Sequence, residues 1–324
     1  MFSVEKYNDT HKTLWNNFIS KAKNATFLFD RDFMEYHKER FEDFSLLIFK
    51  DDTLVAVLPA NQTQEAVISH QGLTYGGLIL RQDLRLADAI TAYQTVLQFL
   101  EAEHIELLQI KSVPKIYHQL PSDELDYIAF KTNAEIERCD TTSAIRLENG
   151  LAIDSSNRKR GLKRALKHGL KMMEETNFES YWNSILIPNL EKRHQAKPTH
   201  SLTEIQLLKE RFPKHIRQFN VYDGDKIVAG VTVFETERVA HVQYISADEN
   251  KQELGSLDLA FHELITKIFK NKAYFDFGIS NEDHGHRINE GLINWKEDFG
   301  ARTIAQPFYT IKTKNHVKLN DIML

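Results

Sequence analysis

The chain has 324 residues, a formal net charge of −5 at pH 7 and a single cysteine, Cys139. Its length suits two domains of ordinary size, and 42% hydrophobic with 27% charged residues is typical of a folded globular protein rather than a disordered one. One cysteine excludes an intramolecular disulfide and agrees with a reducing compartment. No signal-peptide pattern opens the sequence, and no apolar run reaches the roughly 20 residues that a membrane span needs, so we expect a cytoplasmic protein. For Cys139, packing in a strand is favoured over a nucleophilic role.

The first half of the chain opens with an amphipathic helix and an aromatic-rich element. Residues 45–50 and 54–59 are predicted strands of a hairpin. The stretch SHQGLTYGG follows, and its glycines would permit close approach to a ligand. This predicts His70 and Tyr75 as substrate contacts, with a purely structural glycine turn as the alternative. A helix with core residues at four-, three- and four-residue spacings and a short strand ending in Ser112 come next.

The second half repeats this order about 170 residues later. It has a hairpin around Gly224, a helix with the same spacing from Leu257, and a strand ending in Ser280. Asn133 and Gly300 are matching helix stops. Each half is a mixed α/β arrangement, so we predict two copies of one α/β fold, with domains at residues 1–150 and 151–324 and a border near Asn149-Gly150.

The stretch AYFDFGISNEDHGHRINEGLINWKEDFGA, residues 273–301, is the strongest candidate site. It predicts a short strand carrying Asp276, a polar loop over residues 280–286, and a helix from Arg287 whose apolar stripe is Ile288, Leu292, Trp295 and Phe299. Binding clefts are commonly built where a strand carries a carboxylate and a hydroxyl into a loop, and the following helix begins with free backbone N–H groups. An ordinary strand–loop–helix connection is the alternative. The nearby His284 and His286 lack the spacing of a usual zinc site, so we expect no metal.

A basic segment, residues 158–171, contains seven Lys or Arg residues and no acid. As a helix it places one set of cations on one face, namely Arg160, Lys163, Arg164, Lys167 and Lys171. The stripe predicts contact with a phosphate-bearing substrate, and a solvated surface face is the alternative. Binding of duplex nucleic acid is disfavoured, because a single row of cations on a protein of net negative charge would contact few backbone phosphates.

The run SSNRKRGLKRALKHGL, the later hairpin, the strand ending FDFGIS and the segment GLINWKEDFGA together resemble the Fem-like branch of the GNAT acyltransferase superfamily. That branch includes peptidoglycan bridge-forming aminoacyltransferases and acyltransferases of polysaccharide biosynthesis. The resemblance is strongest over residues 155–312. It implies tandem GNAT-like domains, each a mixed β-sheet flanked by helices, with a degenerate acceptor-side domain first and a donor-side domain second.

The resemblance implies an N-acyltransferase that moves an acyl group from acyl-CoA to an amine or hydroxyl of a cell-envelope or polysaccharide precursor. GNAT proteins hold the donor pyrophosphate at a loop that only Gln252 and Gly255 match here. Ser256 lies beside them, and Leu257 stands where the pattern has a small residue. The family resemblance also implies functional roles for Asp276 and Lys296.

Direct acyl transfer needs a base near the nucleophile and donors aimed at the developing oxyanion. Asp276 is the candidate base, while Lys296, Ser280 or Tyr244 would stabilise charge. A buried Asp276–Lys296 structural pair is the alternative. No covalent nucleophile is required.

Two other functions stay open. One is aminoacyl-tRNA-dependent transfer of the Fem type, which is disfavoured because residues 172–217 contain three prolines and leave no room for a long helical hairpin. The other is non-catalytic binding of a phosphorylated sugar or lipid precursor. Transient contact with a membrane surface is compatible with each of these functions.

Overall fold

The computed structural model describes residues 1–148 and 153–322. The chain forms two compact units, one of residues 1–140, 283–286 and 305–324, and the other of residues 141–282 and 287–304. The predicted border near Asn149-Gly150 lies outside the described residues. The acceptor-side and donor-side roles of the halves stay predictions. None of the helices in the described ranges is long and apolar enough to cross a membrane.

The first unit contains the elements β1 to β8, α1 to α4 and part of β9. Their bounds are β1 Phe2–Lys6, α1 Lys12–Ile19, α2 Arg31–Met34, β2 Glu42–Asp43, β3 Leu46–Lys50, β4 Thr53–Leu58, β5 Asn61–Gln62, β6 Ala66–Ile68, β7 Ile79–Leu80, α3 Leu86–Ala102, β8 Leu107–Lys111, α4 Glu124–Thr132 and β9 Glu135–Arg146. Strand β9 begins in the first unit and ends in the second.

The second unit contains the remaining elements. Their bounds are α5 Ser156–Lys167, β10 Lys171–Glu175, α6 Glu179–Tyr181, α7 Ile187–His194, α8 Leu202–Arg211, β11 Ile216–Asp223, β12 Lys226–Glu235, β13 Val239–Ala247, α9 Lys251–Leu254, α10 Ser256–Glu263, β14 Tyr274–Ile279, β15 Asn281–Glu282, β16 Arg287–Ile288, α11 Glu290–Glu297 and β17 Arg302–Lys312. A π-helical stretch, Trp182–Leu186, links α6 to α7, and another, Leu264–Ile268, continues α10.

In the first unit the hairpin β3–β4 lies in a sheet ordered β1-β3-β4-β7. The last residues of β17 pair with β8, and β8 runs parallel to β6. Helix α3 buries one apolar stripe, including Ile90, Tyr93 and Leu97, against this core. The predicted hairpin, helix and strand of the first half are confirmed, because alternating and helical apolar spacings each bury one face.

In the second unit the strands follow the order β10-β11-β12-β13-β14-β9. The neighbours are antiparallel except for β13 and β14, which are parallel. The core between this sheet and α5, α10 and α11 contains Phe261, Phe275 and Phe299. Each unit thus has a hairpin, then a strand, a helix and a parallel strand, which confirms the predicted repetition of one mixed α/β arrangement.

Three local predictions are wrong. The helix expected from Arg287 begins at Glu290, because Asn289 caps it through its side chain and residue 287 belongs to β16. Lys171 is not on the basic helix, since Gly169 adopts φ +71 and ends it before β10. Cys139 is exposed rather than packed.

Candidate active site

Strands β13 and β14 of the second unit are parallel neighbours over a short ladder. It runs from Val239↔Tyr274 to His241↔Asp276, and within the described residues it ends there. Both strands continue, β13 to Ala247 and β14 to Ile279. A gap between the strands therefore begins immediately after His241 and Asp276.

Asp276 is buried at the start of this gap, with 2% of its surface exposed. Its Oδ1 accepts a short hydrogen bond from the Thr142 hydroxyl and one from the Gly278 backbone N–H at 2.9 Å. Its Oδ2 lies 3.0 Å from Nδ1 of His241. Gly278 has a φ of +76, which glycine adopts readily, and the backbone forms a bulge at this point. The bulge turns the Gly278 N–H toward the Asp276 carboxylate.

His241 is a further residue of the candidate site, and no sequence pattern indicates it. Its Nδ1 lies 3.0 Å from the carboxylate oxygen Oδ2, and in the tautomer that donates from Nδ1 to this oxygen, Nε2 is the acceptor nitrogen. The side chain keeps 14% of its surface exposed, so the buried Asp276 is joined to solvent through the imidazole. A carboxylate that orients a histidine in this way is the arrangement used for general base catalysis.

Lys296 projects from α11 to the same bulge. Its ammonium donates to the backbone carbonyls of Gly278 at 2.8 Å and Ile279 at 2.7 Å. Burial lowers the pKa of Lys296 to about 8, and the charge of Asp276 opposes that shift. Lys296 therefore fixes the end of β14 through its carbonyl groups, while Asp276 directs its hydrogen bonds to other partners.

Ser280 follows the bulge. Its side chain is buried, and among the described residues its Oγ has no hydrogen-bond partner. A buried hydroxyl without a partner is uncommon and marks a position where a ligand atom can complete the hydrogen bonding.

Tyr244 pairs with Thr232 on β12 and His241 pairs with Phe234. Because these two β12 residues are two positions apart, Tyr244 and His241 lie on the same face of the sheet. The Tyr244 hydroxyl accepts from the His200 backbone N–H at 3.1 Å and lies 2.6 Å from Nδ1 of His200. Burial raises the pKa of Tyr244, so its hydroxyl stays protonated at neutral pH. Tyr244 therefore contributes a neutral polar group to the face of β13 that carries His241.

The predicted phosphate contacts lie at the start of α10. Gln252 is exposed, whereas Gly255 and Ser256 are buried. A Cβ on Gly255 would lie 2.2 Å from the carbonyl oxygen of Gly161, so the missing side chain allows α5 to pack directly on the α9–α10 junction. The Oγ of Ser256 has no hydrogen-bond partner within the described chain. The donor-binding role of these residues stays a prediction.

Helix α5 presents exposed cations at Arg160, Lys163 and Lys167. Arg164 is half-buried and turns toward Asp258, with which it interacts electrostatically. The exposed stripe is thus narrower than the sequence pattern indicated. Its contact with a phosphate stays a prediction.

His70 and Tyr75 are buried in the first unit. Burial lowers the pKa of His70 to about 3, with a further contribution from His37, so this ring is neutral. The Tyr75 hydroxyl donates to Oγ1 of Thr26 at 3.1 Å. Both side chains contribute to the interior of this unit, and their role as substrate contacts stays a prediction. Across the described residues, no group of three His, Cys, Asp or Glu side chains is placed to hold a metal ion.

Residues 189–286 match the family model of the acetyltransferase (GNAT) domain. This match confirms the predicted enzyme class, an acyltransferase, and includes His241, Tyr244 and Asp276 of the candidate site. A search of curated proteins found no match.

Solved structures match the chain over almost its full length. FemX is similar with a TM-score of 0.67 at 10% identity, covering 98% of this chain and 99% of FemX. The C-terminal domain of a putative lysylphosphatidylglycerol synthetase from Agrobacterium fabrum is similar with a TM-score of 0.62 at 11% identity, covering 97% and 96%. A tandem GNAT protein from the clavulanic acid biosynthesis pathway is similar with a TM-score of 0.55 at 11% identity, covering 97% and 99%. These similarities confirm the predicted tandem GNAT-like fold, which FemX shares.

Proposed function

We propose that this GNAT-domain protein transfers an acyl group from acyl-CoA directly to an amine or hydroxyl of a cell-envelope or polysaccharide precursor. The observation that carries the proposal is the His241–Asp276 pair at the point where β13 and β14 separate. A base oriented by a buried carboxylate, open to a gap between strands, is what direct acyl transfer requires.

In the proposed reaction Nε2 of His241 takes the proton from the acceptor amine or hydroxyl. The nucleophile attacks the thioester carbonyl carbon, and the tetrahedral intermediate carries the negative charge on its oxygen. The C–S bond then breaks, the new C–N or C–O bond remains, and the departing thiolate recovers the proton. Asp276 stabilises the imidazolium formed in the first step.

The oxyanion needs hydrogen-bond donors close to the reacting carbon. We assign this role to Ser280, whose buried hydroxyl is unpartnered in the described chain, and to Tyr244. Lys296 takes a positioning role, because its hydrogen bonds hold the carbonyls of the bulge that bears Asp276.

The acceptor side of the proposal rests on charge. Arg160, Lys163 and Lys167 are exposed on one face of α5, and Arg164 adds positive charge beneath them. Such a stripe suits the phosphate groups of an activated precursor. We propose a cytoplasmic reaction because the single cysteine agrees with a reducing compartment.

Aminoacyl-tRNA-dependent transfer is the second candidate function. The packing of α5 across Gly255 favours it, because that contact occupies the open side of the glycine proposed to admit the pyrophosphate of coenzyme A. A donor that does not use the start of α10 would be compatible with this packing.

Calorimetry separates the two donors, with coenzyme A and a charged tRNA titrated separately into the protein. Binding of coenzyme A supports the first proposal, and tight tRNA binding with none for coenzyme A supports the second. A thiol-release assay with acyl-CoA and an amine panel then tests turnover. Binding without release would favour the non-catalytic function.

A further inference from the structure

The end of β14 and the segment after it expose three large apolar side chains. Ile279, Ile288 and Leu292 keep 40%, 53% and 37% of their surface exposed. The neighbouring Phe275 and Phe277 on the same strand are buried in the core. Exposed apolar residues are unremarkable one by one, whereas several beside a cleft mark a binding surface.

Ile279 lies on the same sheet face as Asp276. On β9, Ala144 pairs with Asp276 and Thr142 pairs with Ile279. Thr142 and Ala144 are two residues apart on β9, so their side chains point to one face of the sheet. Because directly paired residues share a face, Ile279 and Asp276 lie on that face too, and the bulge between them brings them side by side. Ile279 therefore lines the β14 side of the gap, immediately beyond the His241–Asp276 pair.

Ile288 and Leu292 extend this surface. Asn281 pairs with Ile288 in the β15–β16 hairpin, and the Asn289 N–H donates to the Ser280 carbonyl at 2.9 Å, so the segment with Ile288 runs alongside the residues that follow Ile279. Leu292 is one helical turn before Lys296, whose ammonium donates to the Ile279 carbonyl. The three exposed side chains thus lie on segments that these hydrogen bonds hold together beside the reacting groups, and they are called the apolar patch below.

The other side of the gap differs in chemistry. On β13, Tyr244 and Ser246 share one face, and Asn189 donates to Oγ of Ser246 at 2.8 Å. Polar groups suit an acceptor that carries an amine or hydroxyl. The apolar patch on the β14 side suits the hydrocarbon part of the group that is transferred.

We propose that Ile279, Ile288 and Leu292 bind the hydrocarbon chain of the acyl group, so that the donor is a medium- or long-chain acyl thioester rather than acetyl-CoA. This inference rests on the proposed acyl transfer at the same site. It adds no chemical step, because the thioester C–S bond breaks and the new C–N or C–O bond forms as described above.

The test is a chain-length series of acyl-CoA donors, from two to twelve carbons, with one amine acceptor. The value of kcat/KM should rise by up to about fourfold per methylene over the first several carbons, the factor expected for burial of each CH2 group. The double variant Ile279→Ser/Ile288→Ser should flatten the series, and because each donor is compared with acetyl-CoA in the same variant, a general loss of activity does not mimic this effect. Ile136→Ser is the control, because Ile136 is 60% exposed on β9 in the first unit and should leave the series unchanged.

A flat series in an active wild-type enzyme would overturn the patch proposal and leave acyl transfer standing. A change in KM for the acceptor alone would reassign the patch to an apolar part of the acceptor. Loss of sedimentation with anionic lipid vesicles in the double variant, at unchanged donor preference, would reassign it to a membrane surface.

If no acyl-CoA supports transfer, the proposed function fails, and binding of dodecanoyl-CoA and decanoic acid still tests the patch by calorimetry. Weaker binding in the double variant than in Ile136→Ser supports a hydrocarbon site. Equal binding in both variants overturns it.

Discussion

Replacing Asp276 with asparagine tests the link between the buried carboxylate and the histidine. Oδ1 accepts from Thr142 and Gly278, so an asparagine should keep its oxygen on that side and turn its NH2 group toward His241. Nδ1 of His241 must then act as an acceptor, and the proton moves to Nε2. The imidazole would present a donor where a base is needed.

The expected loss in kcat is roughly 100- to 10,000-fold, the range for a general base that is removed or inverted. Asparagine has the shape of aspartate, so the fold should persist. Exchanging charge-assisted hydrogen bonds for neutral ones should lower the free energy of unfolding by about 1–3 kcal/mol. Steady-state acyl transfer gives kcat, and thermal unfolding followed by circular dichroism verifies the fold.

Thr142→Val is the matched control, because it removes one hydrogen bond to the same carboxylate without changing the tautomer of His241. Its kcat should fall by no more than about tenfold. A folded Asp276→Asn variant with wild-type turnover would refute the reasoning, and so would an equally large loss in Thr142→Val.

Three further perturbations test other features. Gly255→Ala should destabilise the protein by more than about 2 kcal/mol in thermal unfolding, because the new Cβ would meet the backbone of α5 at a φ of +73, whereas Gly224→Ala, at φ +57 with nothing within 4 Å, should cost about 1 kcal/mol. Reversing Lys163 and Lys167 to glutamate should weaken binding of a phosphorylated precursor much more at low salt than at high salt, and equal affinities at low salt in a titration would contradict this. Burial lowers the pKa of Lys296 to about 8, so the unfolded state binds more protons than the folded state between about pH 8 and 10.5. The free energy of unfolding of the wild type should therefore rise with pH over that range by up to about 3 kcal/mol relative to Lys296→Met. Denaturant titrations at several pH values measure this difference, and a difference between the two proteins that does not change with pH would contradict the shift.

The main elements were predictable from the sequence because their apolar spacing matches the face that they bury. The β3–β4 hairpin and helix α3 follow this rule, and Asn133 ends α4 in the left-handed conformation as its residue type indicates. The sequence also predicts Asp276 and Lys296 as functional residues of one region, with a buried structural pair as the alternative. Asp276 accepts from side chains and from the Gly278 N–H, whereas Lys296 donates to backbone carbonyls, and both sets of hydrogen bonds depend on a bulge that the sequence pattern does not reveal.

His241 could not be found from the sequence because its partner is 35 residues away on a neighbouring strand. Only the parallel ladder between β13 and β14 brings the two together. The start of α11 was predicted too early because the apolar spacing extends beyond the helix itself. Ile288 continues the helical spacing, but it precedes the cap at Asn289 and lies exposed in a hairpin.

Coupling between the two residues of the pair follows from the same geometry. His241→Gln should lose about as much activity as Asp276→Asn, and the double variant should lose little more, because groups that act as a unit are not additive. His262→Gln on α10 serves as a control outside the pair. Additive losses in the measured kcat values would separate the two residues.

The role of His241 as the base in acyl transfer can be measured in a single turnover, with the protein in excess over an acyl-CoA and the acylated acceptor quantified by mass spectrometry. The wild type should form the acylated acceptor together with one free thiol per acyl group, and His241→Gln should form both at least about 100-fold more slowly. Equal rates in the wild type and His241→Gln, or no acylated product from any acyl-CoA, would contradict this role.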